Sequence, residues 1–456
     1  MFRPRPTAVL AVVLLSTAVF PLTITGSSAA LPDIATSLSA GPGATRWVVT
    51  GYNAAFAAFL VFTGSLADVL GRRRCHLAGV ALFAAAGLAS ALATDVVVLD
   101  ALRFAGGVGA AAAVTGGGSI LAETFTGAAR ARAFGLLGTV LGAGLAFGPT
   151  IGGLLVDHLG WRAVFAVPGA LAALVLVCAP LLPVLPGDSR RRVDWAGAAL
   201  STAALLVVIV AVSEAAYWWL VVVPLLGAVF ARVERHRPDP LFDLGLLRNR
   251  RFTALSAAAG SFMAVLVPLL VYLPSYLISV VGMTAGEAGL WLLLLTLPTV
   301  VLPPLGALLV RAVPVPAVVV GSLLVTGAGA LLLVTAVPRP GPWMGAFVLV
   351  GAGVGLTTGL LDGLALGAVP GEQAGAASGM FNAARLGMET VALAAVGPLL
   401  AALGGGALVG TGGLRVVGAL LGCFAAVAAG VVGWTWHNGR SNTGFGSPRD
   451  GDPTTT

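Results

Sequence analysis

Four ionisable side chains lie where hydrocarbon would penalise them: Arg103, Asp362, Arg385 and Glu389. The surrounding chain is 58% hydrophobic and only 9% charged. A charge at bilayer depth costs roughly 2.5–3.5 kcal/mol or more, so one that persists there faces a partner or a wet cavity. Arg385 and Glu389 are four residues apart, which puts them on one face of a helix within pairing reach. Counted from Ala376 at ~1.5 Å per residue, they lie roughly 14 and 20 Å into their segment, near its middle. Asp362, in Leu361-Asp362-Gly363, is a second acid. Such a set can hold and release a proton, because an acid facing water and an acid facing an arginine differ in proton affinity. Two readings stay open: a neutralised structural ion pair, or a proton site coupled to a second solute. In the second reading Glu389 is the first candidate carrier and Asp362 the next.

These residues need membrane-spanning elements to hold them. A mean hydropathy of +1.00 over 456 residues excludes a water-soluble fold. Apolar runs long enough to cross a bilayer as helices fall at 8–30, 47–68, 77–94, 97–122, 131–156, 163–185, 194–213, 216–232, 252–280, 286–310, 315–336, 343–368, 376–403 and 412–434. The expectation is an all-α polytopic membrane protein with fourteen spans.

The net charge is +7, and all 25 basic residues are arginine. An Ala/Gly/Val/Arg-rich chain without lysine reads as GC-rich codon usage and a bacterial source. With the N-terminus inside, nineteen arginines fall on the cytoplasmic side, including Arg72–Arg74, Arg190–Arg192 and Arg248–Arg251. Only Arg46, Arg162, Arg339 and Arg415 fall outside. That asymmetry fits the positive-inside rule with both termini cytoplasmic and an even number of spans. The basic surplus therefore points to membrane orientation, not to nucleic acid.

The chain also repeats in parallel. Leu31-Pro32 returns as Leu273-Pro274 and Gly64 as Gly306, each 242 residues on. Gly107-Val108-Gly109 returns near Gly353-Val354-Gly355, and Gly148-Pro149 as Gly397-Pro398. Two parallel halves around a central cavity are a transporter architecture. The expected division is a six-helix bundle over 1–186, an inserted hairpin over 187–232 and a cytoplasmic linker over 233–251. A second six-helix bundle over 252–435 and a disordered tail over 436–456 complete it.

Other polar residues read as surface features: Glu123, Glu214 and Asp33 at helix ends, with Trp218-Trp219 in an interfacial aromatic belt. Cys75, Cys178 and Cys423 form no CxxC pair. Without lysine there is no Walker A loop, and no G-x-S-x-G, HExxH or EF-hand pattern occurs. Gly107-x-Gly109-x-x-Ala112 mimics a dinucleotide fingerprint but lies inside an apolar helix, where it reads as a packing face. No cofactor or metal is expected; a proton gradient is the expected energy source.

Gly64-Ser65-Leu66-Ala67-Asp68-Val69-Leu70-Gly71-Arg72-Arg73-Arg74, between the second and third spans, resembles the signature loop of the major facilitator superfamily. Gly64 would permit close helix approach and Gly71 a turn; the resemblance implies that Asp68, Arg72 and Arg73 form a cytoplasmic charge latch. Val310 and Arg311 stand at the matching place in the second half, so the second latch is weak or absent. Gly135, Gly144, Gly148, Pro149, Gly152 and Gly153 match the family's antiporter motif, which goes with export. Asp194-Trp195-Ala196-Gly197, with Pro240-Leu241-Phe242-Asp243, resembles the fourteen-helix drug:proton antiporter branch. That branch commonly carries an acid in the first span, where this chain has Thr23, so cation specificity does not carry over. Arg103 matches the arginine of the fourth-span motif; it would tune a neighbouring acid or meet an anionic cargo group.

The resemblance implies a monomeric, proton-coupled exporter in a bacterial plasma membrane. It would bind a small amphipathic molecule in a cavity shared by Thr23, Arg103, Asp362 and Glu389. A lipid or lipid-linked-glycan flippase of the same fold and, remotely, an integral membrane enzyme are the alternatives.

Overall fold

The computed structural model describes residues 5–185, 187, 195–235, 244–335, 340–369, 374–403 and 409–440. Asp194, Arg190–Arg192, the 240–243 segment and the tail beyond Arg440 lie outside the described residues.

Every described element is helical. The first half comprises α1 (Pro6–Gly26), α2 (Leu31–Ser37), α3 (Pro42–Leu70), α4 (Arg72–Ala91), α5 (Val96–Thr124), α6 (Gly127–Leu159) and α7 (Ala163–Val177). A short 3-10 turn joins α1 to α2, so together they make one span. α8 (Trp195–Ser213) and α9 (Val222–Arg235) form a hairpin. The second half comprises α10 (Arg250–Ser279), α11 (Ala285–Val301), α12 (Pro303–Ala312), α13 (Val315–Thr335), α14 (Pro340–Thr357), α15 (Leu360–Leu366), α16 (Ala374–Leu403) and α17 (Thr411–Arg440).

Local chemistry explains where several of these helices start. Asp95 accepts from the Val97 and Val98 N–H groups at the head of α5, and Asn249 from Arg251 and Phe252 at the head of α10. Thr284 and Glu287 form a reciprocal capping box on α11. Proline explains the breaks: α11 and α12 meet at Pro303 with a 47° bend.

Among the described residues, twelve helices are long and apolar enough to cross a membrane, or thirteen if α11 and α12 count as one span. All fourteen apolar runs contain helix, but the run at 163–185 yields only the 15-residue α7. At about 1.5 Å per residue that is roughly 22 Å, short of a ~30 Å hydrocarbon core. Pro180 lies just beyond α7, and a proline N–H is missing where the helix would continue. The hairpin helix runs to Arg235, past the expected boundary at 232.

The two sets of helices meet by a reciprocal rule. The fifth span of the first half, α6, packs on α11, the second span of the other half, while α3 packs on α16. This is the contact pattern of two copies related by a pseudo-two-fold axis. α10 is buried along nearly its whole length against α16 and α17. The hairpin helix α8 lies on α3 and α16, anchored by Trp47 Nε1 donating to Glu214 Oε1 at 2.6 Å. Glu214 is thus a bonded anchor rather than a merely solvated side chain.

Cross-half contacts gather at the arginine-poor end, where the α1–α3, α4–α5 and α6–α7 turns lie. Ser28 donates to the Leu270 carbonyl at 3.2 Å and Thr150 to the Gly289 carbonyl at 2.7 Å. Towards the other end, a methyl group added at Gly135, Gly138 or Gly142 on α6 would meet nothing within 4 Å.

Candidate functional site

α16 carries the acid–base pair that the spacing predicts. Its middle is held between elements: Met388 presses on Gly260 of α10, Leu386 packs against the first-half core, and Ala394 packs with Ala54 of α3 and Ile209 of α8. Glu389 lies inside this stretch and is 5% exposed. Arg385 makes its bonds elsewhere. The guanidinium donates to Asn382 Oδ1 at 2.9 Å and approaches Asp362 Oδ1 at 3.7 Å, while no ion pair joins Arg385 to Glu389. The direct i,i+4 pairing is therefore corrected: a third residue, on α15, takes the arginine. Asp362 and Arg385 are partly exposed, at 43% and 29% of their side chains. The break between α14 and α15 opens a crevice of about 340 Å³ lined by Pro303, Ala307, Thr358, Gly359 and Gly363, which Asp362 does not line. Gly359 makes that break at φ 75°, a conformation natural only to glycine.

Arg103 and Thr23 come together, but not as a cargo cavity. Arg103 Nε donates to the Val48 carbonyl at 2.8 Å and Nη2 to the Thr23 carbonyl at 3.4 Å. Its guanidinium stacks on Tyr52 and Phe165, 4.3 and 5.3 Å from their ring centres. The Thr23 hydroxyl donates to Val19 within its own helix. The void they line is about 10 Å³, the size of one water. A buried planar cation with fixed carbonyl acceptors is a structural tie between α1, α3, α5 and α7. Replacing Arg103 by leucine is expected to cost about 2–4 kcal/mol, because two buried carbonyls lose their donor. Lysine should rescue little, lacking the planar face that stacks between the rings. Thermal unfolding in detergent reads this directly, with both variants well below wild type.

The signature loop turns at Gly71, with φ 99°. Arg72 pairs with Glu123, which is therefore a partner rather than a merely solvated acid, and Arg73 Nη2 donates to the Ala179 carbonyl at 3.0 Å. The Arg72 pair is partly open to solvent, at 29% and 48% of the two side chains, so cutting it should change stability by under about 1 kcal/mol. Gly64 does not serve close approach: the nearest atom to an added methyl is 4.0 Å away. The side chain of Asp68 lies outside the described residues.

The glycine pattern on α6 divides in two. Added methyls at Gly144, Gly148 and Gly152 would strike Pro21, Thr25 and Gly26 of α1, and one at Gly153 would strike Ala285 of α11. These four glycines and Pro149 build the seam between α1, α6 and α11. Gly135 is no part of it and faces open space. Gly107 and Gly109 abut Tyr52 and Phe83 backbone, as a packing face should.

Three polar residues join the picture without having stood out by motif. Asn53 on α3 is 2% exposed with Nδ2 unbonded, and Asp100 Oδ1, one turn before Arg103, is likewise buried without a partner. Asn53 is the lone amide of its apolar run and Asp100 the lone acid of its own, which is the signal that marks them. Asp157, at the end of α6, accepts from the Ala285 N–H at 3.1 Å and the Gly286 N–H at 2.8 Å, joining the two halves.

Known proteins resemble this chain in sequence and in fold. The chain is 32% identical to the multidrug resistance protein Stp of Mycobacterium tuberculosis over 60% of its length and 53% of that protein's. It is 31% identical to the tetracenomycin C resistance and export protein of Streptomyces glaucescens over 71% of its length and 62% of that protein's. The matched segments thus span between half and two thirds of these relatives. In fold it superposes on the peptide transporter POT in complex with sulfate with a TM-score of 0.70, covering 96% of this chain and 95% of that one at 15% identity. A mutant of the nucleoside transporter NupG gives 0.67 at 12% identity, covering 94% and 100%. Residues 13–388 match the family described as the Major Facilitator Superfamily. With that match over most of its length, this multi-pass helical membrane protein belongs to the major facilitator superfamily.

Proposed function

We propose that this chain is a proton-coupled secondary transporter that exports a small amphipathic compound, such as a drug, antibiotic or secondary metabolite, by alternating access. The reading takes α7 and the α11–α12 pair as full spans, giving fourteen helices in a 6+2+6 order. That order is shared with the drug:proton antiporter branch. Both termini then face the cytoplasm of a bacterium, with the arginine-rich end inside.

One observation carries the proposal: Glu389 is a buried carboxyl in the helix that links the two halves. An acid held there exchanges its proton only when a change of conformation brings water to it. Arg385, one turn away on the same helix and 3.7 Å from Asp362, would exchange that partner for a charged Glu389. Proton binding would release the arginine to Asp362, and proton loss would draw it back, so protonation and the state of the cavity are coupled. The names of the relatives, resistance and export proteins, support the direction of transport. Thr23 in place of an acid in α1 leaves the cargo's charge to the α15–α16 pair rather than to the first span.

Expression in an efflux-deficient bacterium tests the reading. Cells should accumulate severalfold less of at least one amphipathic antibiotic, and a protonophore should abolish the difference. Lower accumulation that survives the protonophore would overturn proton coupling.

A further inference from the structure

The ten residues Gly64–Arg73 and the ten residues Gly153–Arg162 follow one pattern, G-x-L-x-D-x-L-G-x-R, 89 positions apart. Gly64, Leu66, Asp68, Leu70, Gly71 and Arg73 become Gly153, Leu155, Asp157, Leu159, Gly160 and Arg162. The first copy ends α3 and the second ends α6, so they lie at opposite ends of the bundle. The structures match as well. Gly71 and Gly160 both turn at positive φ, 99° and 79°. The arginines make mirror-image bonds: Arg73 Nη2 donates to the Ala179 carbonyl past the end of α7, and Arg162 Nη2 donates at 3.3 Å to the Ala93 carbonyl past the end of α4. The α6–α7 turn is an inverted copy of the α3–α4 turn.

We infer that Asp157 is the gate residue of the arginine-poor end: its carboxylate clasps the N-terminus of α11 and holds the two halves together on that face. The inference rests on the alternating-access reading above. Both oxygens are engaged across the halves, one with the Ala285 N–H and one with the Gly286 N–H. Those are first-turn donors with no partner inside the helix, at the end that favours a negative charge. The contact adjoins the seam at Gly153 and Thr150 and lies where the halves converge. Opening that face must break both bonds at once.

The second half offers no counterpart. In the repeat that pairs Gly148-Pro149 with Gly397-Pro398, Gly406 stands at the place of Asp157, and Val310 stands at the place of Asp68.

Distance measurements between spin labels test the gate, in a background lacking Cys75, Cys178 and Cys423 and in lipid nanodiscs. One label pair, at Leu159 and Leu290, spans the arginine-poor end; the other, at Leu136 and Leu308, spans the opposite end. All four positions are exposed. In Asp157→Ala the long-distance population of the first pair should rise about fivefold, the typical scale for losing a helix cap, and that of the second pair should fall. Ala285→Pro removes one donor from the other side of the contact, at the first helical position, where proline is well tolerated. It should shift both pairs the same way even if Asp157→Ala folds poorly. Combining the two should add little, because both remove one interaction. Asp157→Asn, which keeps an acceptor without charge, should fall between. Unchanged distances in both single variants would overturn the gate, as would broadening at both ends together. A wild-type protein with one fixed distance at each end, whatever the pH or added cargo, would overturn alternating access and the gate with it.

Discussion

Glu389→Gln is expected to reduce proton-driven efflux at least about 100-fold, the scale of losing a proton-transfer group. Cargo binding should persist. The substitution keeps the shape and hydrogen-bonding capacity of the side chain but removes its exchangeable proton. Glutamine matches the protonated acid in shape and carries no charge at this 5%-exposed position, so the fold should tolerate it. Asp362→Asn should have a smaller effect, about tenfold or less. Its carboxylate is 43% exposed and stands 3.7 Å from Arg385, so solvent shares the work of balancing the arginine. Efflux of a labelled cargo from energised vesicles, set beside equilibrium binding of the same cargo, separates the two. Wild-type efflux from Glu389→Gln would remove Glu389 from the coupling step.

The second large effect concerns packing. Gly152→Val is expected to destabilise the protein by about 3 kcal/mol or more, since even its Cβ would meet the Gly26 backbone of α1. Two helix backbones in contact have no flexible side chain to yield, and in lipid such contacts supply much of the association energy. Gly135→Ala is the matched control. It sits on the same helix with open space around it, so the change should be neutral or stabilising by up to about 1 kcal/mol. Thermal unfolding followed by tryptophan fluorescence distinguishes the outcomes. Equal melting points for the two variants would contradict the seam.

Hydropathy makes the helices legible, because apolar runs of span length have few other stable forms. It does not show that Pro180 cuts α7 short, or that α11 and α12 part by 47°. Helix termini and bends depend on single residues inside long apolar windows. Arg385 illustrates a second limit. Its i,i+4 spacing to Glu389 is visible in the sequence, but Asp362, from a different helix, takes the contact, and sequence distance says nothing of that. The six glycine-motif positions look alike as letters, yet Gly148 touches α1 and Gly135 touches nothing, a difference set only by neighbours. Arg103 is conspicuous as a buried charge, but only the Val48 and Thr23 carbonyls and two flanking rings identify it as a tie. Asp157 is written in the sequence as a repeated pattern, though the partner it clasps is not.

The most direct test is proton release from proteoliposomes holding an inward proton gradient, with lipophilic cations, neutral drugs and organic acids offered in turn. Antiport predicts cargo-dependent proton flux with at least one chemical class in the wild type, and none with that class in Glu389→Gln. Folded wild-type protein that moves no protons with any class, or proton flux unchanged in Glu389→Gln, would contradict the account.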